Sequence, residues 1–143
     1  MNRDAKGPEP QGGFRWSQSK RRILLVDDNC AIRDAVTGHL KEQLPYIAVS
    51  FAGSGLEALD VVSNKRVDML ITEVDLPGMN GYDLIEKVRM TRPEMPIMVT
   101  TDDCSIKVLE LLTSLKVNKW LEKPFTAKAI VAAVRTELDR LAV

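Results

Sequence analysis

Five short segments of strand length alternate along the chain with segments whose apolar residues recur at helical spacing, and this alternation limits the choice of fold. The first segment, ILLV, is a continuous apolar run, which is typical of a strand covered on both faces. The five segments are ILLV (23–26), YIAVSF (46–51), VDMLI (67–71), IMVT (97–100) and KWLE (119–122). Strands alternating with helices predict a parallel sheet with helices on both faces.

The intervening segments predict five helices: four over about 31–44, 55–63, 82–92 and 105–115, and a last one after Pro124 whose apolar stripe runs from Ala127 to Leu141. We therefore expect a three-layer α/β sandwich of the flavodoxin-like type, with strand order 2-1-3-4-5. The apolar faces predicted to be buried are Ile32, Ala35, Val36, His39 and Leu40 in the first helix, Leu56, Leu59 and Val62 in the second, Leu84, Ile85 and Val88 in the third, and Ala127, Ile130, Val131, Val134, Leu138 and Leu141 in the last.

Length and charge point to one soluble domain. The 143 residues carry 20 basic and 20 acidic side chains, so bulk charge gives no case for nucleic acid or membrane as a partner. Two isolated cysteines and the absence of an apolar run of membrane-spanning length favour a cytoplasmic location. Residues 1–20 are polar and rich in glycine and proline, which predicts a flexible tail before a folded domain at 21–143.

Polar side chains follow four of the five predicted strands: Asp27 and Asp28, Glu73, Thr101 and Asp102, and Lys123. In open parallel sheets, ligands bind beyond the carboxyl ends of the strands, where the strand order reverses. In the expected order the first and third strands are neighbours at that point, so three carboxylates converge there. An all-carboxylate set suits Mg²⁺ better than soft metals, with Lys123 as a compensating charge.

In combination, ILLVDDN, VDLPGMNG, VTT and WLEKPF resemble the receiver domain of bacterial two-component response regulators over roughly residues 21–142. The resemblance implies a domain in which an acidic pair and an acceptor aspartate bind Mg²⁺. The acceptor takes a phosphoryl group from a histidine kinase, and a hydroxyl and a lysine then read that group. It also implies a signalling protein and not an enzyme.

By resemblance, Asp27 and Asp28 match the acidic pair, and the backbone carbonyl of Asp75 is a further metal ligand. Thr101 matches the switch hydroxyl and Lys123 the lysine that contacts the phosphoryl group. Trp120 matches the aromatic residue that turns inward on activation. The resemblance further implies a cis peptide bond between Lys123 and Pro124.

Three residues or segments depart from the family pattern. Glu73 stands at the acceptor position, where its extra methylene moves the carboxylate outward by about 1.5 Å. Asp102 replaces a small residue and adds bulk and negative charge. The segment SLKVN (114–118) replaces a small Gly-Ala pair, which predicts a less mobile loop before Trp120. All three point away from an ordinary reversible phosphorylation cycle and favour a switch that is impaired or fixed. Because the sequence ends directly after the fifth predicted helix, we expect a stand-alone module that acts by binding partners.

The helix at 105–115 carries more apolar surface than one buried face needs. The resemblance places this helix, the Trp120 strand and the last helix at the surface where receivers form homodimers or bind other signalling proteins, although a deeply buried helix would fit the same pattern.

Two alternatives remain open. One is a conventional Mg²⁺-dependent phosphoacceptor, in which Glu73 is an introduced substitution or Asp75 accepts the phosphoryl group, although we expect the Asp75 side chain to face solvent. The other is a small metal-dependent phosphohydrolase that uses the same carboxylates. The sequence lacks the DxD motif after the first strand and the histidine near the crevice that such an enzyme would need.

Overall fold

The computed structural model of the chain describes residues 20–141. Five parallel strands form one sheet of order β2-β1-β3-β4-β5, which confirms the predicted fold and strand order. The strands are β1 (Arg21–Val26), β2 (Ile47–Ala52), β3 (Met69–Glu73), β4 (Ile97–Thr101) and β5 (Lys119–Glu122). The helices are α1 (Cys30–Gln43), α2 (Gly55–Asn64), α3 (Gly81–Thr91), α4 (Ile106–Ser114) and α5 (Ala127–Leu141). The proposed tail, including Phe14 and Trp16, lies outside the described residues except for Lys20.

The first four helices begin where a short polar side chain accepts a hydrogen bond from a backbone amide three residues ahead. The N-caps and donors are Asn29 with Ile32, Ser54 with Glu57, Asn80 with Asp83 and Ser105 with Val108. Each cap lies in the loop that follows a strand. The caps therefore fix how the chain leaves the carboxyl edge of the sheet, where the site forms.

Two apolar cores lie on opposite faces of the sheet, because successive strand residues point to opposite sides. Leu24 and Val26 of β1 pack beneath α2, α3 and α4, whereas Ile23 and Leu25 pack beneath α1 and α5. All four side chains are buried. The three-layer arrangement predicted from the sequence is thereby confirmed.

The predicted inner faces were correct for α3, where Leu84, Ile85 and Val88 are buried. In α5, Ile130, Val131, Val134 and Leu138 are buried and Ala127 is half-buried, while the side chain of Leu141 is not among those that the structure describes.

The prediction was wrong for Leu56, which is 69% exposed. The buried stripe of α2 is Gly55, Ala58 and Val62, and residue 56 points away from it. The small residues Gly55 and Ala58 let α2 lie close to its neighbours, so the buried face does not include Leu56. Leu59 is half-buried.

The prediction was also wrong for Ala35 and His39 of α1, both of which are exposed. Val36 and Leu40 are buried and Ile32 is half-buried, so only a narrow i, i+4 stripe of α1 faces the sheet. Ala35 and His39 lie beside that stripe and border an open cavity. Among residues 20–141, no helix has the length and apolar composition needed to cross a membrane.

Candidate functional site

The pairing of β1 with β3 brings three carboxylates together at the carboxyl edge of the sheet. Val26 lies opposite Thr72, so the residues that follow, Asp27 and Glu73, are neighbours. Asp27, Asp28 and Glu73 each offer one oxygen, and these oxygens lie within 4.8 Å of one another. The convergence expected from the sequence is therefore present.

Asp27 is the fixed member of this carboxylate cluster, with only 2% of its surface exposed. Its Oδ1 accepts a hydrogen bond of 2.8 Å from the amide of Asn29, and its own amide donates to the carbonyl of Ala52 at 3.1 Å. Asp28 is exposed. The cluster thus joins one rigid, buried carboxylate to one that solvent reaches.

Lys123 reaches the cluster from the end of β5, which lies two strands away from β3 in the sheet. Its amide donates to the carbonyl of Thr101 at 2.7 Å, which anchors the end of β5 to β4. Its Nζ donates a short hydrogen bond to Oε1 of Glu73 and lies 3.6 Å from Oδ2 of Asp27. The peptide bond between Lys123 and Pro124 is cis, as the family resemblance implied.

Burial raises the pKa of the Glu73 carboxyl from its ordinary 4.5 to about 7. The hydrogen bond from Lys123 opposes this shift and the charge of Asp27 reinforces it. Burial lowers the pKa of the Lys123 ammonium, but its hydrogen bond to Glu73 and the charges of Asp27 and Glu73 outweigh burial and leave that pKa raised. The ammonium thus offsets part of the cluster's negative charge.

The donor set fits a hard divalent cation. The second carboxylate oxygen of Glu73, Oε2, is buried and has no hydrogen-bond partner among residues 20–141, so it is a free ligand atom. Carboxylate oxygens from Asp27 and Asp28 lie within reach of the same ion. Such an ion would have to share Glu73 with Lys123, whose ammonium pairs with Oε1 of Glu73.

The hydroxyl of Thr101 is hydrogen-bonded to the loop that follows β4. Although Thr101 is buried at the end of β4, its Oγ1 accepts a 3.0 Å hydrogen bond from the amide of Asp103 and donates to the carbonyl of the same residue at 3.3 Å. The structure therefore brings Lys123 to Glu73 but leaves the Thr101 hydroxyl engaged with the following loop.

Asp102, Trp120 and Asp75, which the sequence also singled out, are not among the three clustered carboxylates. Asp102 is exposed and shares with Lys123 the lining of a cavity of about 470 Å³ between α1 and the segment after β5. Trp120 is half-buried and packs against the core beneath α4. Asp75 is exposed in the loop after β3, as expected for its side chain.

Gly81 packs closely against the backbone of Glu73 and Val74, a contact that was not predicted from the sequence. A Cβ at residue 81 would lie 2.4 Å from the Glu73 carbonyl oxygen and 2.7 Å from Cα of Val74. The Gly81 amide donates to the Val74 carbonyl at 2.8 Å. The glycine at the first position of α3, directly after a good N-cap, was the available signal of this close approach.

Comparison with known proteins decides the family, since the response regulator receiver domain family matches residues 23–135. The chain belongs to this family. Response regulator MprA from Mycobacterium avium (strain 104) is 31% identical over 121 residues, which cover 83% of this chain and 51% of the relative. Response regulator MprA from Mycobacterium leprae (strain TN) has the same identity and coverage. The receiver thus spans about half the length of these relatives.

Solved structures agree with the fold. A CheY-like receiver domain protein from Methanospirillum hungatei JF-1 superimposes with a TM-score of 0.79 at 26% identity, covering 85% of this chain and 96% of that one. The chemotaxis response regulator CheY4 of Vibrio cholerae gives 0.76 at 28% identity, covering 82% and 98%.

Family membership assigns this receiver to two-component signalling. Receiver domains are generally signalling modules rather than enzymes, they generally bind Mg²⁺ for phosphorylation, and response regulators interact with kinases and other signalling proteins. The match gives no support to a phosphohydrolase.

Proposed function

We propose that this receiver has an impaired or fixed phosphorylation switch, with Glu73 at the phosphoacceptor position, and that it acts by binding other proteins. The observation that carries the proposal is the hydrogen bond from Lys123 Nζ to Glu73 Oε1. In the proposed role of Lys123, that ammonium would contact a phosphoryl group. In this structure the Lys123 ammonium is instead hydrogen-bonded to the Glu73 carboxylate.

The length of Glu73 supports poor phosphoryl acceptance. Its carboxylate lies about 1.5 Å farther from the backbone than that of an aspartate, and a misplacement of about 1 Å can cost on the order of a hundredfold in rate. The carbonyl of Glu73 accepts a hydrogen bond from Thr72 Oγ1 at 2.9 Å, and the Gly81 backbone packs so close that a Cβ at residue 81 would lie 2.4 Å from the same carbonyl oxygen. The backbone therefore has little freedom to compensate for the longer side chain.

A weakened Mg²⁺ site accompanies the proposal. Asp27, Asp28, Glu73 and the backbone carbonyl of Asp75 would hold the ion, which when bound supplies charge neutralisation for an incoming phosphoryl group. Glu73 offers its free Oε2, while Oε1 stays with Lys123. The ion must compete with an ammonium that already offsets part of the cluster's charge.

Partner binding is the proposed output. α4 has one buried residue, Leu112, while Ile106 is 77% exposed and Leu111 is exposed. The exposure of these two apolar side chains favours an interaction surface on α4 over a deeply buried helix. We assign α4, the Trp120 strand and α5 as the surface for a homodimer or another signalling protein, with a histidine kinase as the upstream partner. Nucleic acid and membrane are not proposed as partners, and the proposed location is cytoplasmic.

Phosphorylation by a small phosphodonor tests the switch. The native chain, Glu73→Asp and Asp75→Asn are incubated with acetyl phosphate and Mg²⁺ and weighed by intact-protein mass spectrometry. We expect the mass of one hydroxylamine-labile phosphoryl group on Glu73→Asp and none on the native chain. If the native chain gains as much phosphate as Glu73→Asp, the proposal is overturned. If that phosphate is then missing from Asp75→Asn, the acceptor is Asp75.

Fluorescence of Trp120, with Trp16→Phe in every chain, measures the metal response. Addition of Mg²⁺ should change the emission more in Glu73→Asp than in the native chain, because the shorter carboxylate retreats from Lys123. Equal responses would contradict the weakened site.

A further inference from the structure

Arg89 on α3 donates hydrogen bonds to four backbone carbonyls in two separate loops. Two acceptors lie after α4: Leu115, reached by Nε at 3.1 Å, and Lys116, reached by a terminal nitrogen at 3.0 Å. The other two lie between α3 and β4: Met95 at 2.6 Å and Arg92 at 3.3 Å. One side chain thus ties the end of α3 to the loop that leads into β5.

The guanidinium is partly desolvated, and burial lowers the pKa of Arg89. A desolvated charge needs hydrogen-bond acceptors, and bonds from a charged donor are stronger than neutral ones. All four acceptors are main-chain atoms, so the backbone itself must hold its place to satisfy Arg89. The stabilisation therefore depends on loop conformation more than on which side chains the loops carry.

The loop after α4 has a conformation that requires support. Lys116 adopts a φ of 62°, in the left-handed region that is unfavourable for a side chain other than glycine. Val117 is fully buried, and its amide donates to the Leu112 carbonyl at 2.9 Å. The next residues are Asn118 and then β5, which begins at Lys119. Because only Asn118 separates Val117 from β5, the conformation of this loop sets where the four-residue strand begins.

We propose that Arg89 is a positioning residue of the switch, fixing the α4–β5 loop and through it the placement of Trp120 and Lys123 on and after β5. Within residues 20–141, β5 is an edge strand that pairs with β4 alone, so its register rests on that pairing and on its two ends. The Lys123 end is anchored by the Thr101 carbonyl, and Arg89 anchors the other. The proposal does not depend on what occupies position 73.

Amide hydrogen exchange of Arg89→Lys tests it, with Arg92→Lys as the matched control. Arg92 caps the C-terminal end of α3, one turn beyond Arg89. Its guanidinium donates to the Val62 carbonyl at 2.9 Å and not to the α4–β5 loop. We expect the Lys116 and Val117 amides to exchange about 10 to 100 times faster in Arg89→Lys, a range that corresponds to the loss of charged hydrogen bonds. Arg92→Lys should leave these two amides near their native rate.

Amides of the central strand β1 distinguish local loosening from global destabilisation. Acceleration of loop and β1 amides by the same factor, or equal effects of the two arginine variants, would overturn the proposal. The native chain provides a test that needs no variant, because rapid exchange of Lys116 and Val117 there would show that the loop is not held.

Quenching of Trp120 by acrylamide, in chains carrying Trp16→Phe, gives a readout that global stability alone does not move under native conditions. We expect a rise in the quenching constant for Arg89→Lys and no rise for Arg92→Lys. An unchanged constant in Arg89→Lys would separate the loop from Trp120 and overturn the positioning role.

Discussion

Lys123 and Glu73 form a hydrogen-bonded ion pair across the carboxyl edge of the sheet, between the end of β3 and the residue after β5. Fifty positions separate them in sequence, and β4 lies between their strands. The pair places a positive charge inside a cluster of three carboxylates. Its protonation state, its competition with metal and the close packing of Gly81 against the Glu73 backbone each lead to a measurable consequence.

Stability should depend on pH through Glu73. Its pKa is raised from 4.5 to about 7 by burial, so between these values the folded state binds more protons than the unfolded state. This contribution is fully present below about pH 4.5 and is lost as the pH rises through about 7. With chelator present, the free energy of unfolding of the native chain should fall relative to Glu73→Gln across this window, by an amount on the order of 1 kcal/mol.

Urea denaturation at a series of pH values measures this difference. Because Asp27, Asp28 and Lys123 surround Glu73 in both chains, subtracting the Glu73→Gln profile isolates residue 73. Parallel profiles over the whole window would show that the pKa of Glu73 is not raised.

Removing the ammonium should strengthen metal binding. In Lys123→Met, three carboxylates lose their internal counter-charge, and Oε1 of Glu73 becomes free for an ion. We expect Mg²⁺ to raise the melting temperature more in this variant than in the native chain. Lys119→Met is the matched control, since Lys119 lies at the opposite end of β5. A native-like response in Lys123→Met would rule out competition between lysine and metal.

Gly81→Ala should destabilise the fold by about 1–3 kcal/mol, because the added methyl group meets the Glu73 carbonyl and Val74 backbone at distances that demand movement. Gly38→Ala is the control: residue 38 is exposed within α1, with nothing within 4 Å of the new Cβ. That change should stabilise the chain by about 0.5–1 kcal/mol through helix propensity. Urea denaturation compares them, and equal destabilisation of both would contradict the close approach at residue 81.

Strand order, helix placement and the meeting of Asp27, Asp28 and Glu73 were predictable because they follow from periodicity and from the topology of parallel sheets. The predicted stripe of α2 failed at Leu56 for a physical reason. Helical spacing alone does not say whether a face is built from large or small residues, and here Ala58 and Gly55 take the inner positions.

The orientation of Thr101 could not be predicted either. Its hydroxyl is hydrogen-bonded to the Asp103 backbone, and these bonds depend on the conformation of the turn after β4, which periodicity does not reveal. The contacts of Arg89 with the α4–β5 loop were likewise hidden, because they reach residues 26 and 27 positions away through main-chain carbonyls, which leave no side-chain pattern in the sequence.

The exposed apolar surface of α4 should contribute to association and not to stability. Ile106 is 77% exposed, so Ile106→Ser should change the free energy of unfolding by no more than about 0.5 kcal/mol. Leu112 is fully buried in the same helix, and Leu112→Ala should cost about 2–5 kcal/mol. Urea denaturation measures both.

Sedimentation equilibrium then tests the proposed homodimer through this surface. If Ile106 lies in the interface, Ile106→Ser should weaken self-association by about fivefold or more, since truncating a central interface residue costs at least about 1 kcal/mol. Met90→Ser is the control, because Met90 is 79% exposed on α3, outside the proposed surface. If Met90→Ser weakens the dimer as much as Ile106→Ser does, or if neither affects it, α4 is not the surface through which the chain pairs with itself.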